Sequence, residues 1–187
     1  MSRDNDLPFA RGATYYGGDA TLLTAIGTDA DSGLEGKIYE AKDPVSNLPQ
    51  RLIVLKNRHS TVVTGGRGVL PLATYLDRRS GDFVGTAGAY GYIVDPEYAR
   101  LGISIAVNDL FFAIYDGHVS NVRLGASNAV DFGAMCFDSA GYLIPVGSTD
   151  PAHIVCRAAQ AVTSTGQGNE DVDVVVGRNA ANGYYST

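Results

Sequence analysis

The stretch "GISIAVNDLFFAIYDGHVSNVRLG", residues 102–125, decides how the chain is read. It sets two apolar runs on either side of Asp116-Gly117. In the first run Leu110, Phe112 and Ile114 alternate with Phe111, Ala113 and Tyr115, and both sets are apolar. A strand that is apolar on both faces needs cover on both. Asp-Gly is a favoured two-residue hairpin turn, because both positions tolerate positive φ. The expectation is therefore a β-hairpin turning at Asp116-Gly117, with "HVSNVRL" as the returning strand.

Working outward, the same short periods recur. "GKIYEAKD" (36–43) alternates loosely and stops before Pro44, and "QRLIVLKN" (50–57) is a β-branched run of buried-strand length. "TGGRG" (64–68) reads as a turn into "VLPL" (69–72), and "AYGYIVD" (89–95) as another strand. "PEYARLG" (96–102) predicts one helical turn, with Pro96 at its first position and Gly102 at its end. Further strands are expected in "AVDFGAMCFD" (129–138), "SAGYLIPVG" (139–147) and "DVDVVVG" (171–177), whereas "AHIVCRAAQAVTS" (152–164) fits a strand or a short helix. Short strands with turns at this spacing predict an all-β fold, a small β-barrel or sandwich with one short helical turn.

Residues 1–35 differ. Glycines interrupt them and neither the strand nor the helix period persists. Yet Phe9, Tyr15, Tyr16, Leu22, Leu23 and Ile26 are apolar groups that something should cover, which suggests an extended N-terminal arm lying on a neighbour. An ordinary loop folded onto its own domain is the alternative. Tyr184 and Tyr185 make the same demand in the tail. The expected organisation is an arm over 1–35, a β domain over 36–177 and a tail over 178–187, with those eight side chains as candidate partner contacts.

The chain has 187 residues, of which 45% are hydrophobic, enough for a real core. Charged residues make up only 18% and glycine counts 23, so broad surfaces avoid charge. The net charge of −6 argues against phosphate binding, which needs clustered Lys and Arg. No nucleic-acid partner is expected. The opening residues lack the apolar core of a signal peptide, and no run is long enough to span a bilayer. The expectation is a chain that matures in the cytoplasm of the cell making it, with no membrane partner.

The chemical inventory nominates no catalyst. His59, His118 and His153 show no metal-binding spacing, and Ser60, Ser104, Ser120 and Ser148 lack a nucleophile-elbow context. Asp109 and Asp116 sit where Asp serves turns. "GGRG" (65–68) leads into a proline-containing strand rather than a helix, so a phosphate cradle is not indicated. Cys136 and Cys156 lie in apolar contexts and are expected as buried free thiols. Neither a metal nor a cofactor is expected, and the chain is read as a non-enzyme.

The order of segments resembles the capsid decoration, or cement, proteins of tailed bacteriophages. Lys56-Asn57, Gly65-Gly66, Asp95 with Glu97 and Asn108-Asp109-Leu110-Phe111, with Gly117 at the hairpin turn, carry the likeness over about residues 50–177. Pro96 within the acidic segment and the longer arm depart from the pattern. The resemblance implies a small β-rich protein, often a homotrimer, that binds the major capsid protein on the outer surface of the virion and stabilises the head. Other readings are a different virion component, such as a head fibre base or shell subunit, a carbohydrate-binding β-sandwich, or a hydrolase.

Overall fold

The computed structural model describes residues 35–36, 38–58, 60–71, 80–81, 91–147 and 155–177. The candidate contacts Phe9, Tyr15, Tyr16, Leu22, Leu23, Ile26, Tyr184 and Tyr185 lie outside the described residues, as do His59 and His153. Within them the chain is all-β. The strands are β1 (Ile38–Lys42), β2 (Pro49–Lys56), β3 (Gly68–Pro71), β4 (Ser80–Gly81) and β5 (Tyr92–Val94). One helical turn, α1 (Glu97–Arg100), precedes the long β6 (Leu110–Arg123). Then come β7 (Ala134–Phe137), β8 (Leu143–Pro145), β9 (Cys156–Ala158) and β10 (Asp171–Val176).

These strands form a ten-stranded sheet in the order β4-β3-β5-β6-β10-β9-β7-β8, with β2 also on β6 and β1 on β2. Every strand pairing is antiparallel. The order has free ends, so among the described residues the sheet is open and sandwich-like rather than a closed barrel. The ambiguous 152–164 segment supplies strand β9 at Cys156–Ala158, where pairing with β7 and β10 overrides its helical pattern.

The expected hairpin at Asp116-Gly117 is not formed. Leu110–Arg123 runs through as one strand, whose first half pairs with β2 and β5 and whose second half pairs with β10. A local Asp-Gly preference cannot compete with ladders that satisfy the backbone along the whole strand. What the dipeptide does instead is bend the strand. Asp116 faces Arg51 while Ile114 faces Leu52, so Tyr115 is the extra residue of a β-bulge. Gly117 follows with a φ of 103° and lies so close to β2 that a Cβ there would meet the Pro49 carbonyl oxygen at 2.3 Å.

A second irregularity comes lower down, where Val172 faces Val122 but Val174 faces Val119. Asn121 takes a left-handed φ of 62°, a conformation Asn tolerates, and its N–H is accepted by Asp173 Oδ1 at 3.0 Å. Two bulges in one strand raise its twist, and β6 pairs with β2 and β5 along its first half and with β10 along its second.

The expectation of cover on both faces holds for the first half of β6. Leu110 to Ile114 are all buried, and so are Leu52 to Leu55 of the neighbouring β2. Each such large apolar side chain contributes roughly 1.5–3 kcal/mol relative to exposure. The Phe112 ring meets Tyr39 edge-on with centroids 6.1 Å apart. β10 behaves as a one-sided strand, with Val172, Val174 and Val176 buried and the residues between them half-buried.

Candidate interaction surface

Most residues of the resemblance gather into one structural knot, whereas Gly117 lies apart, at the β6 bulge against Pro49 and Gln50 rather than at a hairpin turn. Asn57 is fully buried at the end of β2, and its Nδ2 donates to the carbonyls of Thr61, Ile105 and Ala106, each at 3.1 Å. Its backbone N–H donates to Asp109 O, and Asn108 N–H returns to Asn57 O. Asn108 adopts a left-handed φ of 72°, and Asp109 Oδ2 accepts the Ala106 N–H across that turn.

Beside the knot, α1 is fixed from both ends. Pro96 occupies the N-cap, one residue earlier than expected, and Asp95 Oδ1 accepts the Glu97 N–H at 3.0 Å. Buried Glu97 Oε2 is gripped by Arg100, with Nη2 at 2.6 Å and Nε at 2.7 Å. Gly102 closes the turn with a φ of 68°. The buried Tyr98 hydroxyl accepts the Phe112 N–H at 3.0 Å, which holds α1 against β6. Gly65 approaches the same turn so tightly that a Cβ would sit 2.5 Å from Ala99 N.

A polar cluster unseen in the sequence lies on the other side of the Gly117 bulge. Asp43 is buried just after β1. Its carboxylate accepts Ser46 N–H at 2.7 Å, Ser46 Oγ at 2.5 Å, Ser120 N–H at 3.3 Å and Ser120 Oγ at 2.8 Å. Burial pushes the carboxyl up, but the hydrogen bonds from Ser46 and Ser120 outweigh it and hold it below the ordinary carboxylate value. His118 Nδ1 lies 3.0 Å from Ser46 Oγ and 3.6 Å from Asp43 Oδ2.

An ionised Asp43 can only accept, so the Ser46 proton is committed to it and Nδ1–H of His118 donates to Ser46 Oγ. Asp43 and Ser46 thus meet the same imidazole nitrogen. In a catalytic triad they occupy opposite nitrogens, and the imidazole takes the serine proton. What this arrangement does is fasten the β1–β2 turn to β6. The sequence signal for it was faint: an Asp followed three residues later by Ser, in "DPVS", is a turn signature, but its partners lie on a distant strand.

Cys136 and Cys156 are buried thiols outside any disulfide, as expected. Burial, and then the neighbouring Cys136, push the Cys156 thiol far up, so it carries no thiolate reactivity. Tyr142 lies under the Arg67 guanidinium, 4.3 Å from the ring centroid, and its hydroxyl also accepts from Arg67 Nη2.

Large apolar side chains do reach solvent. Ile38, Val45 and Leu48 lie on β1 and the β1–β2 turn, while Val62 and Val107 flank the Val63–Ile105 bridge. Val130 and Phe132 project from the loop before β7 and are the most exposed of the set, at 64% and 71%. None of these was singled out by sequence, because lone apolar residues in loops have no periodicity to mark them.

No protein-family model matches the chain, and no curated protein matches it. Among solved structures, the head fibre gp8.5 N base of bacteriophage phi29 is similar at a TM-score of 0.44 and 12% identity, over 67% of this chain and 93% of that one.

Proposed function

We propose that the chain is a structural component of a phage head and, in the finer reading, a decoration protein that binds the outer capsid surface as a homo-oligomer, with a trimer favoured and the major capsid protein as its partner. The observation that carries this is the knot. Lys56-Asn57, Gly65-Gly66, Asp95, Glu97 and Asn108 to Phe111 are far apart in sequence, yet they meet around the end of β2, α1 and the start of β6. Gly117, the remaining residue of the likeness, lies apart from them at the β6 bulge.

The side-chain chemistry supports the same reading. The Ser–His–Asp grouping among the described residues is wired to fasten a turn, with its serine proton given to the carboxylate. A fastening protein needs shape and apolar contacts rather than reactive groups. Burying the apolar side chains of residues 1–35 against a neighbour, at about 25 cal/mol per Å², offsets the ordering cost of such an arm. Repetition over a lattice then multiplies a modest contact.

The test is add-back to heads of the encoding phage assembled without this gene. The reading expects purified full-length protein to bind those heads saturably and to raise their resistance to heat. Failure to bind, or binding to glycans in place of heads, contradicts it.

A further inference from the structure

Phe132 sits where its residue type is disfavoured. Its φ is 54°, the left-handed region in which a bulky side chain strains the backbone. The Gly133 N–H donates to Val130 O at 2.7 Å and closes a four-residue turn, so Phe132 occupies the third position, ordinarily glycine or asparagine. The strain is held from both sides. Phe132 N–H donates to Ala158 O at 2.9 Å, and Arg157 Nη1 donates to Phe132 O at 3.1 Å. Ala129 is bridged to Val162, which anchors the loop on its other flank. A rigid, tied-down turn therefore presents an aromatic ring and the neighbouring Val130 to solvent.

The backbone bonds of this turn need no ring, so an exposed Phe held in strain here gains nothing for the fold that Gly or Asn would not supply. We infer that the Val130–Phe132 knob is a docking element that inserts into an apolar recess on the outer face of the capsid shell. This rests on the reading of the chain as a head-bound subunit. The knob is small, since one aromatic side chain buries only about 150–250 Å². A stable pairwise interface takes roughly 800 Å² per partner. The knob alone therefore cannot hold two copies of this chain together. On a shell that repeats the same recess many times, a preorganised anchor of this size suffices, because an oligomer engages several recesses at once.

The experiment compares the full-length protein with Phe132→Asn in two measurements: binding to heads assembled without the gene, and thermal melting of the free protein. Asn relieves the left-handed strain and removes the ring. The inference expects binding to weaken about tenfold or more while the melting temperature stays level or rises. A smaller loss of binding overturns it. A melting temperature that falls with the binding overturns it too, by making Phe132 structural, and a change of oligomeric state overturns it in favour of contact between copies. Wild-type protein that does not bind heads removes the head reading together with the inference, whereas wild-type binding that Phe132→Asn leaves intact removes the inference alone.

Discussion

Gly117 is the position where the bulged strand and the hairpin turn predict different numbers. In a two-residue turn its neighbours are solvent, and asparagine would replace glycine within about 1 kcal/mol, because Asn accepts positive φ. In the bulge, any Cβ lies 2.3 Å from Pro49 O and 2.6 Å from Gln50 Cα. These are backbone atoms of β2, so no side-chain rotamer relieves the contact. Strain at a φ of 103° costs about 1–2 kcal/mol, and forcing β2 aside costs about 1–3 kcal/mol more. Gly117→Ala and Gly117→Asn should therefore each lose about 2–5 kcal/mol in urea unfolding. For a chain of this size that is a fall in melting temperature of about 10 °C. A loss below about 1 kcal/mol for Gly117→Asn would refute the continuous strand.

Gln50 is buried on β2, and both its Nε2 and Oε1 lack a hydrogen-bond partner. An unpaired buried polar group costs about 1–3 kcal/mol, so Gln50→Met, nearly equal in volume, should raise stability by about 1–3 kcal/mol in urea unfolding. A loss would mean that the amide is satisfied in solution. Asp43→Asn should cost about 2–4 kcal/mol at neutral pH, because it replaces a charged acceptor of four hydrogen bonds. The folded carboxyl titrates below its unfolded value, so its contribution is complete above the ordinary carboxyl range and is lost as pH falls through the folded value. The gap between wild type and Asp43→Asn should then narrow below about pH 4. A gap that is constant with pH would contradict the ionised state.

Much of the framework was legible because it rests on local patterns. The alternation in "DVDVVVG", the β-branched run in "RLIVLK" and the proline-to-glycine span of "PEYARLG" each encode their element directly. The Asp-Gly reading failed because a local turn preference was weighed without the strands that flank it. β2 and β10 both reach Gly117, at Gln50 and Val176, and their ladders settle the conformation. The Asp43 cluster was illegible for a related reason, since its partners His118 and Ser120 arrive through strand register. Phe132 was passed over because a single aromatic beside a glycine carries no period, and its strain exists only in the backbone.

The central claim is that this chain is a fastener on a phage head, and cryo-EM of the native particle tests it most directly. The account predicts density for the β domain at a repeating position on the outer face of the shell, with the loop carrying Phe132 turned toward that shell. Density for this fold inside the head, at a single fibre base, or nowhere on the particle would contradict it.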